Sequence, residues 1–328
     1  MCGATPSSPV PGEAVPHWDT HQLESRPCVV CISKDRSTFS IRPDGLAVAR
    51  CLGCGALFLP LVPNDEELRR YYLNYSKFKP YLGAQADQGP PLSLGHKFKA
   101  SVAKSSAWRF ARKVVLGRRS VQLSADCEIL MRTGGLAGKV LLELGPGGDG
   151  GLLPEAMAWG SKGVAVEVDS DVAAAIRSRG IDVFGHIADV RQRVDIVYAS
   201  MVLEHLVDPL QTLRAIARTM NPGGRIFVRV PNAGQVASRG PNWIGFRVDL
   251  EHLNYFEERS LTALLEGAGF LAECSWQESQ PILASYHESA NRLKFLSELA
   301  RGNGQTIAAR PTDPLQAGTY SLSVLARL

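Results

Sequence analysis

The sequence lacks the features that would set it apart from ordinary globular proteins. No apolar run approaches the ~20 residues that cross a bilayer, which argues against a membrane partner. The N-terminus has no basic segment followed by an apolar one, so we expect no secretory signal. A net charge of +4 is too small to indicate a nucleic-acid partner by itself. We expect a cytoplasmic chain, and 328 residues suggest about two domains.

Cysteine is scarce, but four of the seven cysteines form two tight pairs. Nineteen residues separate Cys28 and Cys31 from Cys51 and Cys54. Two such pairs can turn four thiolates toward one Zn²⁺ ion, and four thiolates close its coordination shell. Since strand-like sequence flanks a turn between the pairs, we predict a structural zinc ribbon over residues 25–60. A redox-active pair is the alternative, but the βαβ context of such motifs is missing.

The regions on either side of this ribbon carry weaker signals. Residues 1–24 are rich in proline and predict a disordered leader. Residues 61–135 predict a helical connector that caps the substrate side, where Tyr75 either faces a substrate or packs the ribbon onto the next domain. The segment from His96 to Arg119 holds eight Lys or Arg and no acid. It fits a solvated helix face, a site for a phosphorylated small molecule, or an RNA contact.

Residues 136–328 predict an α/β domain. The apolar strand Val140–Leu144 ends in a glycine-rich turn that reaches Gly150. Further apolar strands, at residues 163–169, 183–184, 194–199 and 225–230, alternate with segments of helical periodicity. This alternation predicts a parallel sheet with helices on both faces. Ligands of such sheets bind beyond the carboxyl ends of the strands, where the distinctive polar residues of this domain fall.

Taken in order, these features resemble the class I S-adenosylmethionine-dependent methyltransferases. The resemblance covers about residues 138–328 and implies a Rossmann-like, seven-stranded α/β sheet. Its motifs are Glu143–Gly147, Glu167–Asp169, Asp189, Val202–Pro209, Asn221–Gly224, Val230–Asn232, Glu251–Phe256 and Ala268–Phe270. One departure lies in the glycine turn, where Asp149 occupies the place of the third glycine. Either the turn is one residue longer or Asp149 points away from the cofactor.

The resemblance implies a binding site for S-adenosylmethionine at the carboxyl edge of the sheet. Glycines there let a ligand approach the backbone, and a carboxylate accepts two hydroxyl hydrogen bonds. The implied contacts are Glu143, Gly145, Pro146 and Gly147 for the methionine end, Glu167 and Val168 for the ribose, Asp189 and Val190 for the adenine, and Ser200 and Met201 for the sulfonium.

A narrower resemblance, to nucleotide-sugar C-methyltransferases, rests on the ribbon and on the Glu-His pair after the fifth strand. It implies that His252, with Glu251, acts as the base, although His252 could also merely close the pocket. The ubiquinone-pathway O-methyltransferases carry Glu-x-x-Glu-His at the fourth strand and bind a divalent metal there. Since Met201 replaces the first acid, we do not expect that metal site. His205 is then a structural or cofactor-side residue, or a second candidate base.

We therefore predict a biosynthetic methyltransferase that acts on an oxygen or carbon of a small molecule, such as a sugar or another secondary metabolite. Two alternatives remain open. One is an RNA methyltransferase that uses the ribbon and the basic segment 97–119. The other is a non-catalytic scaffold that keeps the fold. The sequence carries no signal for an oligomeric state.

Overall fold

The structure is a computed structural model that describes residues 18–73, 124–147, 150–246, 250–278 and 320–328. Its framework is a seven-stranded sheet and a smaller four-stranded sheet. In these ranges, no helix is both long enough and apolar enough to cross a membrane. Tyr75, Asp149 and the basic segment 97–119 lie outside the described residues, so the predictions made for them stay predictions.

The N-terminal part contains residues 25–60, the segment predicted as a zinc ribbon and called the ribbon below. Its elements are β1 (Leu23–Ser25), β2 (Arg36–Ile41), β3 (Ala47–Cys51), β4 (Leu57–Phe58), β5 (Leu61–Pro63) and α1 (Asp65–Tyr72). The strands β2 and β3 flank the predicted turn between the cysteine pairs. Asn64 starts α1, where its side chain accepts a hydrogen bond from the backbone N–H of Glu67. Residues 18–24 differ from the expected leader, because β1 pairs with β5 and ties them to the fold.

The large sheet contains the strands of the α/β domain. The strands from here on are β6 (Val140–Leu144), β7 (Lys162–Val166), β8 (Asp182–Phe184), β9 (Val194–Ser200), β10 (Met220–Pro231), β11 (Asn254–Tyr255), β12 (Leu271–Glu278) and β13 (Ser321–Arg327). Without β11, they form one sheet in the order β12-β13-β10-β9-β6-β7-β8. The five strands from β8 to β10 are parallel, as predicted. The last strand, β13, is antiparallel to both neighbours, β10 and β12.

Helices cover both faces of this sheet, as predicted. They are α2 (Ala125–Gly134), α3 (Leu153–Ala158), α4 (Ser170–Arg177), α5 (Pro209–Thr219) and α7 (Glu258–Gly267), whereas the short α6 (Val236–Arg239) packs in a cluster with ribbon residues. Neighbouring strand residues point to opposite faces, so Leu141 packs in the core with α2, α3 and α4, and Leu142 packs in the core with α5 and α7. Residues 124–135, expected in the connector, belong to this domain because Cys127 and Leu130 of α2 are buried against the sheet.

The ribbon and the large domain share a sheet and a core. The short strand β11 lies more than a hundred residues after the ribbon, yet it pairs with β4 as the edge of the four-stranded sheet. Leu57 of the ribbon is buried in one cluster with Trp243, Phe246 and Tyr255. The predicted boundaries at 60 and 136 therefore do not separate two independent units.

Candidate active site

The glycine turn after β6 is organised by the carboxylate of Glu143. This side chain is buried, and its Oε2 accepts hydrogen bonds from the backbone N–H groups of Leu152 (2.8 Å) and Leu153 (3.2 Å). Gly151, at φ +57°, passes so close that a Cβ there would lie 2.1 Å from Glu143 Oε1. Glu143 thus fixes the turn that is predicted to carry the methionine end of the cofactor. The sequence pattern did not indicate Gly151 as a critical residue.

Two further glycines give this turn its shape. Gly145 and Gly147 have φ values of +59° and +73°, in the left-handed region that favours glycine. Pro146 between them is buried. The two glycines therefore leave the backbone beyond the carboxyl end of β6 uncovered by side chains, so that a ligand can approach it closely.

Replacing Gly151 with alanine is expected to lower the free energy of unfolding by about 3 kcal/mol. The new Cβ would displace the Glu143 carboxylate from two buried N–H donors and add left-handed strain. Gly138→Ala is the matched control, because Gly138 has φ +77° but nothing within 4 Å of its Cβ position. The control should lose only about 1–2 kcal/mol in urea denaturation. Equal losses would show that the Glu143 contact contributes nothing.

Glu167 lies beyond the end of β7 and faces the glycine turn. Burial raises the pKa of its carboxyl group, and this outweighs the hydrogen bonds from the backbone N–H groups of Asp169, Val168 and Gly147. Val168 beside it is half exposed. Asp169 is buried and begins α4, where it accepts hydrogen bonds from Asp171 N and Val172 N. Of the two acids, Glu167 is therefore the one placed to meet a ligand.

The other predicted cofactor contacts lie along the same edge of the sheet. Asp189 is exposed and Val190 is buried, both just past β8. Ser200 ends β9, and Met201 follows at φ +56°, a conformation that non-glycine residues rarely adopt. The Met201 N–H donates to the carbonyl of Arg229 on β10 at 2.8 Å. The carboxyl ends of β6 to β9 thus gather the predicted set, with Met201 in a strained conformation typical of functional sites.

A histidine cluster lies directly after this strained residue. The rings of His205 and His252 pack edge to face, with their centroids 4.7 Å apart. Glu204 is buried, and its Oε1 lies 4.0 Å from His205 Nε2. The Tyr72 hydroxyl and His205 Nδ1 are 3.0 Å apart, within hydrogen-bonding distance. The two histidines, the carboxylate and the hydroxyl thus form a set of groups through which a proton could pass.

Two of the candidate bases meet in this cluster, because the ring of His205 faces that of His252. Donor atoms of Glu204, His205 and His252 lie within 4.8 Å of one another, a spacing that one cation could bridge. Among the described residues of the connector, Tyr72 contacts this cluster, although the sequence did not single it out.

The four predicted metal ligands also converge. Cys28 Sγ lies 3.6 Å from Cys54 Sγ, and Cys31 Sγ lies 3.4 Å from Cys51 Sγ. These separations are too long for a disulfide of about 2.05 Å. They are close to the edge of roughly 3.8 Å in a tetrahedron with Zn–S bonds of about 2.3 Å. Burial raises the pKa of the Cys28 thiol to about 11, a cost to the thiolate that a bound cation would offset.

The α/β part of the chain is similar to known proteins. Residues 119–274 match the family model described as a methyltransferase domain. Together with the seven-stranded sheet, this match shows a methyltransferase domain and confirms the predicted fold and enzyme class.

Curated relatives include ubiquinone biosynthesis O-methyltransferases. The one from Sodalis glossinidius is 33% identical over 132 residues, which cover 35% of this chain and 52% of the relative. The one from Aeromonas salmonicida is 29% identical over 159 residues, which cover 43% of this chain and 66% of the relative. A solved S-adenosylmethionine-dependent methyltransferase of Archaeoglobus fulgidus is 16% identical, with a TM-score of 0.43 over 68% of this chain and all of that chain. The chain thus spans about half to two thirds of the length of these two curated relatives.

Proposed function

We propose that the protein transfers the methyl group of S-adenosylmethionine to an oxygen or carbon of a small molecule in a biosynthetic reaction. The observation that carries this proposal is the contact between His252 and His205, which follows the end of β9 and Met201 by a few residues, next in the sheet to β6 with its glycine turn. The O-methyltransferase names of the relatives favour a hydroxyl as the acceptor. The narrower sequence resemblance keeps a sugar among the candidate acceptors.

The chain's own residues would mainly position the reactants. Bound S-adenosylmethionine supplies an already activated methyl group, so holding the acceptor in line with it is the larger part of catalysis. Glu167 would hold the ribose hydroxyls, and the backbone of Gly145 and Gly147 would lie against the methionine end. His252 would take the proton from the acceptor as the methyl group arrives. His205, in contact with Tyr72 and His252, would orient the base or relay its proton.

The four cysteines would hold one zinc ion with a structural role. Their paired spacing and the distances between their sulfur atoms support this assignment. A reduced set of thiols also fits a cytoplasmic location. Elemental analysis of the purified protein should give one zinc per chain, and a Cys51→Ser variant should lose it.

Calorimetric titration with S-adenosylhomocysteine tests the cofactor site. One binding site per chain is expected, and Glu167→Gln should weaken binding about 10- to 100-fold through loss of hydrogen bonds to a charged acceptor. Glu128→Gln is the control, because Glu128 pairs with Arg132 on an exposed face of α2 and should leave binding unchanged. Absence of binding would overturn the proposal and favour the scaffold alternative.

The same titration has a predicted dependence on pH. Burial raises the pKa of Glu167, so this carboxyl group takes up its proton at a higher pH than an ordinary glutamate. A protonated carboxyl accepts ribose hydroxyls less well. Affinity should therefore be complete above that pKa and fall as the pH drops through it, whereas Glu167→Gln should lack this fall.

The acceptor class is tested with S-adenosylmethionine labelled in its methyl group. The panel contains hydroxylated aromatics, nucleotide-linked sugars and structured RNA. Labelling of a small molecule supports the proposal, and labelling of RNA alone would replace it with the RNA alternative. If a chelator stops turnover while the ribbon zinc is retained, and an added divalent ion restores it, Glu204, His205 and His252 bind a metal instead of moving the proton.

A further inference from the structure

The loop that carries Glu251 and His252 is enclosed between the ribbon and the large domain. Every residue from 250 to 256 is at least 95% buried. On the domain side, the Leu253 N–H donates to the carbonyl of Glu204 at 2.7 Å, which keeps His252 beside His205. The opposite side of this loop is held by the ribbon.

Arg42, just past the end of β2, binds the backbone on both sides of Glu251. One nitrogen of its guanidinium donates to the carbonyl of His252 at 2.6 Å, and the other donates to the carbonyl of Leu250 at 2.5 Å. The side chain is fully buried and also forms an ion pair with Asp44 of the ribbon turn. A planar fork of donors can hold two carbonyls at once in a fixed geometry. Arg42 therefore fixes the peptide frame from which His252 projects.

Arg26 makes the second connection. Its buried guanidinium donates to the carbonyls of Leu59 at 2.9 Å, Val207 at 2.5 Å and Leu253 at 2.7 Å. These three carbonyls belong to the ribbon, the segment after His205 and the loop itself. One side chain thus ties together the ribbon and the two segments that bear the histidines.

The cysteine site controls where both arginines lie. Arg26 is two residues before Cys28, and Cys51 ends β3, which pairs with both β2 and β4. The core directly around the cysteines is small, with Ala49, Ala56 and Phe58 beside Cys28 and Cys51, so a bound metal would supply much of the order at this end of the ribbon. The hydrogen bonds that Glu143 accepts from Leu152 and Leu153, by contrast, lie within the α/β domain.

We propose that the metal-loaded ribbon is the positioning element for the acceptor-side loop, with Arg26 and Arg42 as the positioning residues. Loss of the metal or of the Arg42 fork releases the loop, and His252 with it, while the cofactor turn stays formed. The effect on turnover rests on the proposed function, whereas the effect on the loop does not.

The test compares Arg42→Lys, which keeps the charge but loses the two-pronged geometry, with the wild-type protein stripped of zinc. Hydrogen exchange is followed by mass spectrometry in peptides that cover residues 250–256. In both samples the amides should exchange about 10- to 100-fold faster, as expected when one or two hydrogen bonds to a charged group are lost. The dissociation constant of S-adenosylhomocysteine should stay within about twofold, and kcat should fall about tenfold or more.

Arg50→Lys is the matched control within the ribbon. Arg50 lies in β3 with its guanidinium over the Phe39 ring. The Arg50→Lys variant should leave both hydrogen exchange and kcat unchanged. Unchanged exchange at residues 250–256 in both Arg42→Lys and the zinc-free protein would overturn the proposal. Equal losses of cofactor binding and kcat would also overturn it, because the ribbon would then support the whole domain. If no acceptor is methylated at all, the proposed function fails and the exchange data still decide the positioning role.

Discussion

Replacing His252 with alanine is expected to lower kcat about 10²- to 10⁴-fold, the usual contribution of a general base. The imidazole packs against His205, which lies four residues after Met201, and it is the group proposed to take the acceptor proton. Since the cofactor contacts lie in other segments, the dissociation constant of S-adenosylhomocysteine should not change. A histidine base accepts a proton only in its neutral form, so kcat/KM should rise with pH as it loses its own proton, and the variant should lose this rise.

The control for this variant is His21→Ala, because His21 is an exposed residue outside the cluster. It should keep full turnover and the same pH profile. Turnover of His252→Ala near the wild-type value would show that the histidine only closes the loop. A loss of turnover with no change in the pH profile would give His252 a structural role and leave the proton to another group.

The framework around this histidine follows from local sequence signals. Buried parallel strands require continuous apolar runs, so β6, β7 and β9 can be located from the sequence alone. The start of α5 is equally local, because Asp208 accepts a hydrogen bond from the backbone of the first turn and Pro209 supplies a preset φ. Both kinds of signal depend on residues a few positions apart.

The assembly of the cluster depends on pairings that no local pattern encodes. His205 and His252 are brought together by hydrogen bonds of the loop around β11 with β4 and with Glu204. Arginine is a residue type usually found on the surface, and only the tertiary structure reveals that Arg26 and Arg42 are both buried. Tyr72 could not be chosen over its neighbours, because the sequence does not fix the direction in which the end of α1 points.

A largely buried ion pair between an arginine and an aspartate supports the large sheet. Arg229 on β10 forms two parallel hydrogen bonds with Asp126 of α2, at 2.5 and 2.6 Å. The Tyr198 hydroxyl also donates to Asp126, and burial together with that negative charge raises the pKa of Tyr198 well above its usual range. Tyr198 therefore remains a hydrogen-bond donor at every physiological pH. The network joins α2 to β9, which Met201 follows, and to β10, where the carbonyl of Arg229 accepts the hydrogen bond from the Met201 N–H.

Replacing Arg229 with methionine is expected to lower the free energy of unfolding by about 3–5 kcal/mol, because it leaves the Asp126 carboxylate buried without its countercharge. Arg225→Met is the matched control on the same strand. Arg225 pairs with Glu273 at 2.8 Å, but this pair is partly exposed and should contribute about 0–1 kcal/mol. Urea denaturation measures both. Similar losses of unfolding free energy in the two variants would contradict the argument from burial. A small loss in the double variant Asp126→Leu and Arg229→Met would support it, because removing both charges leaves neither one unpaired.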